Sequence, residues 1–283
     1  MSLVLTSLVN FSINFLGQLM NITILANKDI ASNYALNILL PKLSEHKICV
    51  FLSSRVGIQS VQPASLARLQ FFEQELVNEL IFPLLNSSNK TNFKSFEQLN
   101  KLLCQPIEPL NNINSTEGVA KIRASKPDLM LTIRYGIILK DAILNIPPLG
   151  ILNLHSGLLP NYRGVMATFW AMLEQQQIIG TSLHYIRDSS IDTGDIIAKS
   201  ELLVNSSKCY LWHLLQLYVD GCKLVHNTIQ LIDAGETIKT SPQIGNGKYF
   251  TFPKEADLQK FHQLGLSLVN EQTVIEFINQ HYY

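Results

Sequence analysis

Short apolar runs rich in β-branched residues alternate along the chain with stretches of helical period. NITILA from Asn21 to Ala26 is followed by a polar break and a helical pattern through Leu43, and then by ICVFLSS from Ile48. Runs of this length, bounded by polar breaks and separated by helical stretches, predict parallel strands buried on both faces with helices crossing between them. Between Pro63 and Leu85, the residues Leu66, Leu69, Phe72, Leu76 and Leu80 recur at steps of three or four and predict a helix. The Ser-, Asn- and Lys-rich stretch from Asn86 to Asn100 predicts a surface excursion. Strand-like runs return with DLMLTI from Asp128, GILNLH from Gly150, TSLHYI from Thr181 and DIIAKSELLV from Asp195, with a turn at Pro147 and Pro148. Tyr210 to Ile232 predicts a long helix. Beyond Gly235 the pattern changes to a small strand or hairpin in GNGKYFTFP from Gly245, then helices over Glu255–Gly265 and Glu271–Tyr282. The predicted division is an amino-terminal extension (1–19), an α/β central domain (20–234) and a short α+β carboxyl-terminal extension (235–283).

Composition narrows the function classes. Apolar residues make up 47% of the chain and charged residues 16%, which predicts a packed core rather than disorder. Lysine plus arginine balances aspartate plus glutamate at 22 each, so no net field attracts a polyanion and no nucleic-acid partner is expected. Cys49, Cys104, Cys209 and Cys222 contain no close pair, which argues against a zinc site or a disulfide framework and for reduced, mostly buried thiols. The segment Met1–Leu19 is apolar, but Ser7, Asn10, Ser12, Asn14 and Gln18 interrupt it. It therefore reads as neither a signal peptide nor a membrane span, but as an extension ahead of an alternative start at Met20, and the expected location is cytoplasmic.

The candidate chemistry sits in NLHSGLLPNYRG, from Asn153 to Gly164. On a strand ending at His155, the two-residue period places Asn153 and His155 on one face at the carboxyl end. In open α/β sheets that is the edge where ligands bind. The loop that follows offers Tyr162 and Arg163 as a clamp for substrate. Three further motifs accompany it: RYGIIL from Arg134, GTSLHYI from Gly180 and IDTGDII from Ile191.

Together and in this order, the four motifs resemble those of the folate-dependent formyltransferases, the family that includes glycinamide ribonucleotide transformylase, methionyl-tRNA formyltransferase and the sugar N-formyltransferases. The resemblance runs from about Asn21 to Ala234. It implies a Rossmann-like formyltransferase fold, 10-formyltetrahydrofolate as formyl donor, no metal, and Asn153, His155 and Asp192 as catalytic residues. It also implies that the pterin lies against Tyr135, Gly136, Ile137 and Leu139 and against the loop carrying Asp188 and Ser190. Gly157 stands where the family often has Ser, which leaves the three catalytic residues intact. Formyl transfer requires an amine to lose a proton and an oxyanion to be stabilised. Asn153 and His155 supply donors in this reading, while Asp192 orients the imidazole and relays a proton.

Methionyl-tRNA formyltransferases add a carboxyl-terminal β-barrel and a basic surface. Only residues 235–283 follow Ala234 here, so the expected acceptor is a small-molecule amine, with a nucleotide-linked amino sugar ranked ahead of hydroxyornithine. Hydrolysis of the donor and a non-catalytic folate-binding module are the alternatives. His184 reads as a structural residue on an alternating strand. Arg134 reads either as the partner of a carboxylate such as Asp128 or as a functional group. Lys28 and Asp29 read as helix-capping or as acceptor-binding residues, Trp170 as core, and the apolar carboxyl-terminal helices as a homodimer contact.

Overall fold

The computed structural model describes residues 19–54, 62–87, 91–245 and 247–283. Apart from Leu19, the extension expected over 1–19 lies outside the described residues. The strands are β1 (Asn21–Asn27), β2 (Lys47–Ser53), β3 (Glu108–Pro109), β4 (Leu129–Ile133), β5 (Ile151–His155), β6 (Tyr162–Gly164), β7 (Ile178–Ile186), β8 (Ile196–Leu203) and β9 (Lys248–Phe250). Seven of them form one sheet in the order β3-β2-β1-β4-β5-β7-β8. The first five run parallel, and β7 and β8 are antiparallel additions at one edge. This is the mostly parallel α/β sheet that the alternating pattern predicts.

The helices are α1 (Ile30–Leu39), α2 (Ala64–Gln70), α3 (Phe82–Asn86), α4 (Phe96–Leu99), α5 (Thr116–Ala124), α6 (Asp141–Leu144), α7 (Ala167–Leu173), α8 (Tyr210–Asp233), α9 (Glu255–Gln263) and α10 (Glu271–Tyr282). On one face of the sheet Ile22, Ile24, Leu131, Ile133, Leu152 and Leu154 pack with Ala31, Ala35, Leu214, Tyr218 and Cys222 of α1 and α8. On the other, Leu25, Phe51, Met130 and Ile151 pack with Ile122 and Ile143 of α5 and α6. Burial of strands on both faces explains why they read as continuous apolar runs instead of alternating ones.

Two sequence readings change and a third is narrowed. Residues Phe71–Ile81, between α2 and α3, wind as a π-helix. The wider turn shifts the buried stripe to Glu73 and Val77 and leaves Leu80 exposed, so the regular leucine spacing predicted the helix but not its inner face. The stretch expected to be a surface excursion folds inward where it is described. Ser95 caps α4, Phe96 and Leu99 are buried, and Asn37 bonds the backbone of Lys94 in both directions. The strand in GNGKYFTFP is no hairpin: β9 pairs in parallel with the distant β6.

Residues beyond 235 lie against the central sheet and its helices. Phe261 stacks on Phe169, and the Tyr282 hydroxyl donates to Asn33 Oδ1 at 2.6 Å. Tyr34 packs edge-on against Phe277. In the carboxyl-terminal helices, which the sequence offered as a dimer contact, Leu258, Phe261, Val274, Phe277 and Ile278 are buried within this chain and Ile275 is exposed. Of the four free thiols, Cys209 and Cys222 are buried, Cys49 is half-buried and Cys104 is exposed. Among the described residues no helix is long and apolar enough to cross a membrane, and no cluster of His, Cys, Asp and Glu could hold a metal ion.

Candidate active site

The site forms at the carboxyl edge of β4 and β5. Their parallel register sets Thr132 beside Asn153, and the Thr132 hydroxyl donates to Asn153 Oδ1 at 2.7 Å. With its oxygen held, the amide must turn its NH2 the other way. Asn153 Nδ2 donates to Asp192 Oδ1 at 3.1 Å and lies 2.9 Å from His184 Nε2. His184 Nδ1 faces the Tyr185 carbonyl at 2.9 Å and donates to it.

Asp192 is the hub. It lies in the turn between β7 and β8 with φ of 54°, a left-handed conformation that Asp and Asn tolerate better than most residues. Its Oδ2 accepts from the backbone N–H of Gly164 at 2.8 Å, and Gly164 itself needs a φ of 93° to present that N–H. His155 Nδ1 is 3.5 Å from Oδ2, and His184 Nε2 is 3.4 Å from Oδ1. Burial pushes this carboxyl up. His155, His184 and the Gly164 amide outweigh burial and hold it at about 2. It is therefore an anion at neutral pH. Gln243 clamps the turn from the carboxyl-terminal segment, donating to the carbonyls of Asp192 and Gly194 at 2.8 Å each.

The other face of His155 is set by Gly157 and Tyr162. Nε2 donates to the Tyr162 carbonyl at 2.7 Å, since a carbonyl cannot donate. A Cβ on Gly157 would come within 2.7 Å of His155 Nε2 and 2.5 Å of the Ala167 Cβ. The departure from Ser at this position thus belongs to the packing of the imidazole.

A cavity of about 480 Å³ opens over these groups. Asn153, His155 and Asp192 line it, and so does His184, which the sequence reading put down as structural. The signal that could have found it is its register: His184 pairs directly with Asn153 across β5 and β7. Every residue expected to hold the pterin, Tyr135, Gly136, Ile137, Leu139, Asp188 and Ser190, lines the same cavity.

The residues expected to bind acceptor are elsewhere. Lys28 is exposed, and its backbone N–H bonds to Ser53. Tyr162 is buried with its hydroxyl on Glu174, and Arg163 donates to the Gly247 carbonyl at 2.6 Å. None of the three is among the residues lining the cavity. Strand pairing of β6 with β9 turns the Tyr162 and Arg163 side chains to structural partners and leaves the backbone of Gly164 at the site. Arg134 pairs with Asp29 and Glu73, not with Asp128, whose carboxylate accepts from the Asn21 backbone. Asp29 caps α1 through Ser32. Trp170 is half-buried, stacked on Phe250.

Residues 88–209, which hold all of these central groups, match the family described as formyl transferase. The match covers less than half of the chain. The chain is also similar to a methionyl-tRNA formyltransferase of Methylacidiphilum infernorum, 37% identical over 125 residues, 44% of this chain and 39% of that protein. A methionyl-tRNA formyltransferase of Thermodesulfovibrio yellowstonii is 34% identical over 155 residues, 55% of this chain and 48% of that protein. The chain thus spans less than half the length of these relatives.

The fold matches glycinamide ribonucleotide transformylase 1 of Symbiobacterium toebii with a TM-score of 0.55 at 15% identity, over 80% of this chain and 94% of that one. It also matches an N-formyltransferase of Helicobacter canadensis in complex with folinic acid and dTDP-3-aminofucose. That match has a TM-score of 0.53 at 17% identity, over 90% and 82% of the two chains. The chain therefore has the Rossmann-like fold of these proteins.

Proposed function

We propose that this protein transfers a formyl group from 10-formyltetrahydrofolate to the amine of a small acceptor. The observation that carries the reading is the Asp192 carboxylate, ionised although buried, which holds Asn153, His155 and His184 at the rim of one cavity. The cavity wall formed by Tyr135, Gly136, Ile137 and Leu139, together with the Asp188–Asp192 turn, is where the donor's pterin binds in this proposal. The acceptor nitrogen bonds to the formyl carbon and the bond from that carbon to the donor nitrogen breaks. One proton leaves the acceptor amine and one joins the departing nitrogen.

Asn153 Nδ2 donates to Asp192 and lies beside His184 in this state, and its amide hydrogens can be turned to a developing oxyanion. His155 and Asp192 move the proton. His155 Nε2 donates to the Tyr162 carbonyl and Nδ1 faces Asp192 Oδ2 at 3.5 Å, so the Tyr162 contact has to be displaced before Nε2 can act on substrate. Asn153, His155 and Asp192 are the catalytic residues of this proposal, and His184 positions the amide.

A methionyl-tRNA acceptor is a second reading, favoured by relatives of that name at 37% and 34% identity. Equal numbers of basic and acidic side chains weigh against it, because tRNA binding depends on neutralising phosphates. The test presents methionyl-tRNA, a nucleotide-linked amino sugar and hydroxyornithine in parallel, with 10-formyltetrahydrofolate as donor, and follows the formyl mass. The expected product is a formylated small amine. Formylated methionyl-tRNA would establish the second reading, and free formate alone would show hydrolysis.

A further inference from the structure

The seven-stranded sheet ends in two unlike edges. At one, β3 is two residues long and carries Pro109, whose nitrogen has no hydrogen to offer another strand. At the other, β8 runs for eight residues. Among the described residues a single bridge, exchanged between Ile196 and Ser241, occupies its outer side. Residues 197–203 therefore present an open edge, a row of backbone groups on which another strand can form.

The ladder decides which groups face out. Val204 N donates to the Gln177 carbonyl at 2.9 Å, and the register pairs Ile178 with Leu203, Gly180 with Glu201 and Ser182 with Lys199. Bonding alternates along an antiparallel pair, so Ser200 and Leu202 turn their N–H and C=O toward β7, while Lys199, Glu201 and Leu203 turn theirs away from the sheet. Side chains alternate as well. The Ser200 hydroxyl meets Thr181 Oγ1 at 2.6 Å on the covered face, and Lys199, Glu201 and Leu203 are exposed on the other. Leu203 is 73% exposed and Ile178, its neighbour in register, 42%. Neither Lys199 nor Glu201 has a salt-bridge partner among the described residues.

The open stretch reads IAKSELL, with Ser200 at its centre, Lys199 and Glu201 on either side and apolar residues beyond them. An antiparallel copy of the same stretch presents opposite charges to it. With a two-fold axis at Ser200, Lys199 lies opposite Glu201 of the second copy, and both are positions whose backbone bonds outward, so ladder and charge agree. An axis at Lys199 or at Glu201 sets like charges opposite each other. An axis between two residues sets an outward-bonding position against an inward-bonding one. Exposed ion pairs add little energy, so the charges select the register, while the backbone ladder and the apolar Leu203 and Ile178 supply the attraction.

We propose that β8 is a self-complementary docking edge through which two copies of this chain join their sheets, antiparallel about Ser200. Neither Lys199 nor Glu201 lines the cavity, so the surface stands apart from the candidate active site and is independent of the formyl-transfer reading. The test is sedimentation velocity of the full chain at low salt, up to about 1 mM. The wild type is expected to be dimeric at the upper end and to dissociate on dilution. Lys199→Glu and Glu201→Lys are each expected to be monomeric throughout, with unchanged melting temperatures because both side chains are exposed. An equimolar mixture of the two variants is expected to recover the dimer, since each then meets its opposite charge, and so is a chain carrying both substitutions. Leu203→Asp leaves both charge pairs in place and is expected to weaken the dimer by about tenfold or more, which keeps the test decisive should a charge variant misfold. A wild type that stays monomeric at the highest concentration, single charge variants that still dimerise, a mixture that stays monomeric, or unchanged dimerisation of the Leu203 variant would overturn the proposal.

Discussion

Replacing Asp192 with Asn tests both the charge and the chemistry of the site. The substitution keeps size and shape, and Asn adopts the left-handed conformation found here at φ of 54°, so the backbone introduces no separate cost, as Ala would. What changes is the charge and one acceptor. The carboxyl falls from its ordinary 3.8 to about 2 despite burial, a difference of about 2 kcal/mol in favour of the anion. Because the folded value lies below the unfolded one, this stabilisation is fully present above about pH 4 and is lost as the pH falls through about 2. The variant cannot take up that proton. The expected outcome is a variant less stable than wild type by about 2 kcal/mol at pH 7, with the gap closing as the pH approaches 2. Turnover is expected to fall by at least about a hundredfold, the lower range for loss of a general acid or base. Urea denaturation at pH 7, 4 and 3 reads the first, and steady-state formyl transfer reads the second. A stability gap that stays constant between pH 7 and pH 3 would refute the electrostatic account, and near-native turnover in the folded variant would refute the catalytic one.

Gly157→Ser is expected to displace the His155 ring, since its Cβ would lie within 2.7 Å of Nε2, and to lower turnover by about tenfold or more. Wild-type rates in that variant would show that the contact relaxes freely. Thr132→Val removes the donor that fixes the Asn153 amide. It should cost about 1–3 kcal/mol in denaturation and lower turnover more than it changes donor binding. The raised Glu73 carboxyl makes stability highest below about pH 4.5 and declining as the pH rises through about 7, a slope that Glu73→Gln should abolish in pH-dependent melting. Deleting residues 266–283 removes the buried Val274, Phe277, Ile278 and Tyr282, at about 1.5–3 kcal/mol each. The shortened chain is expected not to fold cooperatively by calorimetry, and a sharp native-like transition would show that α10 is an appendage.

Much of this protein was legible in local pattern. β1, β2, β4, β5 and β7 coincide with apolar runs because strands buried on both faces require them, whereas the edge strand β8 is partly exposed. The spacing of Asn153 and His155 placed both at one strand end by the period of the backbone alone. Other features depended on pairings that no local stretch encodes. His184 resembled any buried residue of an alternating strand until antiparallel pairing set it beside Asn153. Tyr162 and Arg163 sit in the same motif as His155, yet pairing of β6 with β9, a strand more than eighty residues later, turned them away and left a backbone N–H for Asp192. The inner face of the helix after Pro63 followed the π-helical winding and not the leucine spacing, which is how Glu73 came to meet Arg134 and Asp29. Charges distant in sequence and hydrogen bonds between separate elements are set by which surfaces pack. Strand and helix periods reflect local steric constraint, so the sequence alone determined the elements and the residue types at the site, and tertiary packing decided which of those residues share a cavity.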